Sequence, residues 1–110
     1  MHAARLRRGE DIARVRTDGI ARNGKLFSLR ALATDQRAVR VAVVSSRAVG
    51  GAVQRNRARR RVREAVRVAL VSREPRGGAD LVLLARPGAL TVSAAELRAS
   101  VERELDAVLR

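Results

Sequence analysis

The chain has 110 residues, 46% apolar and 32% charged, a globular composition with length for one domain, residues 1–110, around one modest core. It contains no cysteine, which excludes a disulfide framework, a thiolate nucleophile and a cysteine-ligated zinc, and no apolar run approaches the roughly 18 residues of a membrane span. Its net charge of +13 is far more than solubility needs and points to a polyanionic partner, held less tightly as salt rises.

The first residues, Met1-His2-Ala3-Ala4-Arg5, lead into charged sequence and not into the apolar core of a signal peptide, so a cytoplasmic location is expected. Glu10 to Thr17 carries Ile12 and Val15 at helical spacing, acids in its first turn and Asp18-Gly19 as a stop. This predicts a short helix over one edge of a sheet. Asn23-Gly24 predicts a two-residue hairpin turn between strands at 20–22 and 25–33. A second turn at Thr34 to Arg37 leads into Val39 to Ser45, a strand whose Val41, Val43 and Val44 favour burial.

From Asn56 to about Val71, the residues Ala58, Val62, Ala65, Val66, Ala69 and Leu70 recur three and four apart and form one apolar stripe of a helix. Arg60, Arg63 and Arg67 fall opposite the stripe, Arg59 on one flank, and Arg57 and Arg61 on the other. An Arg76-Gly77-Gly78 turn precedes a near-continuous apolar strand, Asp80 to Ala85, bounded by Pro87-Gly88. Ser93 with Glu96 forms a capping box opening a last helix, whose Leu97, Val101, Leu105 and Val108 or Leu109 face the core. The order α-β-β-β-α-β-α predicts an α+β fold, a two-layer sandwich in which helices cover a small mixed sheet.

Charge is concentrated in the middle of the chain. Residues 1–36, 37–73 and 74–110 carry +4, +10 and −1, and the stretch from Gly50 to Arg67 holds seven arginines and one acid. The arginine fork matches phosphate oxygens and stays charged at any physiological pH, so a basic helix of this kind suits a nucleic-acid backbone. Phe27 is the one aromatic residue, which leaves little scope for stacking on bases. Asn56 suits a helix N-cap, and Gly50 and Gly51 suit a turn or a close approach of phosphate to the backbone. A helix that reads DNA would need a partner helix three or four residues upstream; a glycine-bearing loop after a valine strand stands there, so DNA is not the expected partner.

Catalysis by the chain itself is not expected. Ser45, Ser46, Asp80 and His2 are the only conceivable parts of a nucleophilic or acid-base site, with His2 at the terminus and no second histidine. Glu10 and Asp11 serve a helix start and give no metal site.

The run Val53-Gln54-Arg55-Asn56-Arg57-Ala58-Arg59-Arg60-Arg61-Val62-Arg63-Glu64-Ala65, preceded by Ser46-Arg47-Ala48-Val49-Gly50, resembles the protein subunit of bacterial ribonuclease P. Arg5 to Asp11, Ala85-Arg86-Pro87 and Leu90-Thr91 extend the resemblance over nearly the whole chain. It implies a left-handed crossover through the basic helix, where generic rules favour the right-handed form in about 98% of cases. It implies binding to the large catalytic RNA and removal of the 5′ leader of precursor tRNA, with Mg²⁺ held mainly by the RNA and no cofactor bound by the protein alone. Arg47, Arg55, Asn56, Arg57, Arg59, Arg60, Arg63 and Arg67 then fall to RNA contact, and Ile12, Arg16 and Leu29 to a cleft for the single-stranded leader. The family usually has aromatics at those three cleft positions, an apolar residue at Arg61 and a basic one at Ala48. A structured-RNA or ribosome-associated binder without a role in cleavage is the alternative.

Overall fold

The near-continuous apolar run that ends at Ala85 becomes the middle of the sheet in a computed structural model, which describes residues 3–73 and 77–109. In chain order the elements are β1 (Ala4–Arg5), α1 (Gly9–Asp18), β2 (Ile20–Asn23), β3 (Phe27–Thr34), β4 (Val39–Ser45), a 3-10 turn (Arg47–Val49), α2 (Ala52–Val71), β5 (Gly78–Ala85), α3 (Gly88–Thr91) and α4 (Ala94–Val108). Among the described residues the strands form one five-stranded sheet in the order β1-β4-β5-β3-β2. Arg76 and His2 lie outside the described residues.

β5 pairs parallel with β4, from Val39↔Ala79 to Ser45↔Ala85, and antiparallel with β3, from Phe27↔Ala85 to Thr34↔Gly78. Seven of its eight residues are buried, as expected of a strand covered on both faces. The turn at Thr34 to Arg37 therefore does not make a hairpin: β3 and β4 are separated by β5, and α2 is the crossover that joins the parallel pair. β1, a two-residue strand missed in the sequence, pairs parallel with β4 at the sheet edge.

The hairpin between β2 and β3 also differs from expectation. Asn23 pairs with Ser28, so four residues, 24–27, separate the last paired positions of β2 and β3 instead of two. A two-residue type I′ turn needs positive φ at both central positions, and Gly24 does not adopt it. Phe27 is drawn instead into pairing with Ala85 and into the core, where it is 4% exposed.

Side chains alternate across the sheet. Leu29, Ala31, Val39, Val41, Val43, Leu81 and Leu83 point to one face, where they meet the α2 stripe and Leu97, Val101 and Leu105 of α4. Val44, expected in this core, is half-buried on the other face, because strand alternation places it out of step with Val41 and Val43. Ser93 caps α4, its hydroxyl accepting from the Glu96 backbone N–H at 3.1 Å. On the opposite face α1 seals a smaller cluster, Leu6, Val15 and Val82, with Ile12, Leu32 and Ala42 packed around it. The first helix thus lies across the central strands and not at a sheet edge, since Val82 of β5 is what Val15 covers.

Gly78 is fixed by space. A Cβ there would stand 2.0 Å from the Gln36 carbonyl oxygen and 2.6 Å from Thr34 Oγ1, whereas one at Gly9 would meet nothing within 4 Å. Gly78→Ala is expected to cost at least about 1–3 kcal/mol of stability, the usual penalty for overpacking, and Gly9→Ala almost nothing. Urea midpoints of the two variants against the parent measure the difference.

Candidate nucleic-acid interface

α2 begins four residues earlier than its apolar periodicity suggests, at Ala52. The chain leaves β4 through the 3-10 turn, reverses at Gly50, whose φ of +132° favours glycine, and enters the helix from Gly51 in an extended conformation. No side chain caps this end, so its first backbone N–H groups and the positive end of the helix dipole remain open toward any anion. Asn56 is therefore not the cap. It sits one turn inside the helix, where its Oδ1 accepts from the Arg59 guanidinium and holds that side chain against the surface.

All six residues of the predicted stripe are buried, which fixes the rotation of α2 and turns Val53, Asn56, Arg57, Arg60 and Arg67 outward. Val53 is 76% exposed amid this charge and forms, with Asn56, Arg59, Arg60 and Arg63, a shallow groove along the helix. Arg47, exposed in the 3-10 turn, lies just before the helix start. Arg47, Arg55, Arg57, Arg60 and Arg63 make no ion pair or side-chain hydrogen bond with another described residue.

The predicted arginines are not all equivalent. Arg55, Arg59 and Arg63 are half-buried, and Arg63 shares one flank of α2 with Arg59 and Arg5. Burial first, and then the two neighbouring cations, lower the Arg63 pKa from its ordinary value. A guanidinium stays protonated nonetheless, so the flank is a site of unrelieved positive charge. Arg67 is exposed but already engaged: its Nε and Nη2 donate to Glu64 at 3.0 and 2.6 Å. This hydrogen bonding raises the Arg67 pKa and lowers that of Glu64, so the pair is an internal neutralisation within the crest. Arg61 turns toward the body of the protein, donating to the carbonyl oxygens of Ala89 and Val92 at the end of α3. It supplies the acceptors of that short helix with donors, a structural use of a cation on the flank.

A second surface lies on the α1 side of the sheet. Val44, Leu84 and Ser28 stand side by side on β4, β5 and β3, with Asn23 next in line on β2, and the first three are half-buried. α1 borders this row with Ile12, half-buried, and Arg16, exposed in its last turn. Arg30 donates to the Arg16 carbonyl oxygen at 2.6 Å, holding the C-terminal end of α1 to the sheet. Arg86, just beyond β5, donates from Nε and Nη2 to Ser28 Oγ at 3.0 and 2.8 Å and keeps its Nη1 side open. Leu29 does not belong to this surface. It is 1% exposed on the other face of the sheet, because strand alternation puts Ser28 and Arg30, not Leu29, on the α1 side. Ile12 and Arg16 are brought together; Leu29 is not.

Sequence reasoning therefore missed Ser28, Arg30 and Arg86 for this surface and Arg5 for the α2 flank. Period-two alternation around Phe27, Leu29 and Ala31 carried the signal for the first two. Among the described residues, no group of three or more histidines, cysteines or acids is placed to hold a metal ion, and no helix is long and apolar enough to cross a membrane.

Comparison with known proteins agrees over almost the full chain. The family model for Ribonuclease P matches residues 1–108. A ribonuclease P protein component from Dehalococcoides mccartyi strain 195 is 38% identical, over 94% of this chain and 83% of that protein. One from Roseiflexus sp. strain RS-1 is 41% identical over 94% of this chain and 84% of its own. In fold, the RNase P protein of Staphylococcus aureus is similar with a TM-score of 0.75 at 22% identity, covering 96% of this chain and 97% of that one. The RNase P protein from Thermotoga maritima gives 0.74 at 24% identity, covering 94% of each chain.

The two kinds of arginine on α2 separate in their effect on folding. Arg61→Ala is expected to lower stability by about 1–3 kcal/mol, since it leaves two carbonyls without donors, and Arg60→Ala to stay within about 0.5 kcal/mol of the parent. Urea denaturation followed by circular dichroism distinguishes them.

Proposed function

The chain belongs to the ribonuclease P protein family, and from that premise we propose that the α2 crest docks on the catalytic RNA while the open row on the α1 side of the sheet receives the 5′ leader of precursor tRNA. The protein component is the accessory subunit of an endoribonuclease whose chemistry is carried by RNA, so RNA is its partner and tRNA processing its family function. The observation that carries the docking surface is the set of outward arginines without acidic partners, Arg57 and Arg60 foremost, beside an uncapped helix N-terminus. Guanidiniums there can exchange condensed counterions for phosphates, which gives affinity without demanding a base sequence.

The leader surface works by charge and apolar contact in place of ring stacking. Phe27 is in the core, so the row offers Leu84 and Val44 to bases and Arg16, Arg30 and Arg86 to phosphates. Stacking on an aromatic is worth roughly 1–3 kcal/mol per base, so leader binding here leans more on salt-sensitive contacts. Asp11 and Asp80 beside this surface are engaged by Arg40, and among the described residues no cluster of three or more acids, histidines or cysteines offers the several oxygen ligands that a hard dication such as the family's Mg²⁺ needs. The cation belongs with the RNA subunit. A cytoplasmic setting fits that partnership.

The purified chain is expected to cleave no precursor tRNA alone, and to restore cleavage by the catalytic RNA at low Mg²⁺. Stimulation absent, with equal affinity for unrelated structured RNAs, would replace this function by general RNA binding. Arg57→Ala is expected to weaken binding to the RNA subunit and to lower the slope of log affinity against log salt by about one, as for loss of one phosphate contact. Filter binding over a salt series measures both.

A further inference from the structure

α1 is thinly attached for an element that borders a binding surface. Apart from Val15, which is fully buried, its own apolar contribution is the half-exposed Ile12. Its C-terminal end is held by Arg30 on the Arg16 carbonyl and by Gly19, which passes so close to β3 that a Cβ would stand 2.9 Å from the Ala31 oxygen. Its N-terminal end follows buried Leu6, whose N–H donates to the Val41 carbonyl oxygen of β4, and the helix itself is joined to the sheet there by an ionic network. Arg40 of β4 donates from Nε and Nη2 to the two carboxylate oxygens of Asp80 at 2.8 and 2.6 Å, and from Nη1 to Asp11 of α1 at 3.4 Å. Asp80 is 4% exposed and fixes the guanidinium plane, so the remaining edge of the fork can face α1 in one direction only.

We propose that Arg40, held flat by Asp80, sets the height and angle of α1 over the sheet through Asp11, which makes Arg40 and Asp11 positioning residues for the leader surface. The proposal rests on the leader reading given above. With no ring in the surface to adapt to a base, the distance between Arg16 on α1 and Arg86 at the end of β5 decides whether one strand of phosphates meets both. A helix pinned at both ends by arginines of the sheet keeps that distance constant. Neither residue faces the α2 crest, so their influence is confined to one of the two RNA surfaces.

The test uses the reconstituted holoenzyme and two precursor tRNAs, one with a single-nucleotide leader and one with a leader of about eight nucleotides, within the span of a single-strand platform. Asp11→Ala removes the link to α1 and leaves the Arg40–Asp80 pair in place, which avoids stranding a buried charge. Its expected effect is a loss of about tenfold in kcat/KM on the long-leader substrate alone, less than the roughly hundredfold that a misplacement of about 1 Å can cost. Affinity for the RNA subunit and kcat/KM on the short-leader substrate stay at parental values, and Asp11→Glu, which keeps a carboxylate within reach of Nη1, restores most of the loss. If the parent prefers the long leader and Asp11→Ala does so equally, the positioning role is wrong. An equal loss on both substrates, or weakened binding to the RNA subunit, would also overturn it in favour of a general structural role. No leader preference in the parent would remove the leader reading and this inference with it.

Discussion

The rotation of α2 about its own axis is the constraint on which the rest depends. Ala58, Val62, Ala65, Val66, Ala69 and Leu70 meet the sheet and α4, and with that stripe buried no other rotation of the helix avoids placing guanidiniums in the core. Three alanines among the six keep the helix close to the strands, and the charged arc opposite is left with solvent as its only neighbour. One flank then meets α3 and is consumed by Arg61; on the other, the charge of Arg5 in β1 adds to that of Arg59 and Arg63. The arginines are thus sorted by geometry into those that hold the fold and those left over for a partner.

β5 couples the two surfaces. Leu81 and Leu83 face α2 and α4, while Val82 and Leu84 face α1 and the open row. A shift of one residue in its pairing would exchange these sets and expose the core, which pins the register from both sides. The same strand carries Asp80, which orients Arg40, and leads directly into Arg86. A polymer bound across the two faces would therefore be read by side chains whose relative positions are set by one rigid strand.

Much of this was legible in the chain. The stripe of α2 was complete because buried positions on a long helix repeat often enough to define its phase, and the Ser93 cap announced α4 because its chemistry is local. The start of α2 was hidden because Gly51 offers no capping side chain, so nothing in the residues marks Ala52 as the first turn. Leu29 was misplaced because a likeness of sequence aligns positions without saying which way a strand side chain points; alternation from Phe27 would have moved the assignment to Ser28 or Arg30. The insertion of β5 between β3 and β4, and the two-residue β1, depend on contacts between distant parts of the chain, which no local pattern encodes.

The late position of the central strand has a consequence for how the molecule is made. β3 and β4 are synthesised well before β5 but do not pair with each other, so the nascent chain carries two apolar strands whose shared partner has not yet emerged. Closing the sheet requires contacts of long sequence separation, a class that forms slowly because chain entropy is lost before it is repaid. The basic helix α2 follows β4 and emerges before β5, so during that interval the nascent chain already carries the like charge that disfavours close approach of neighbouring copies.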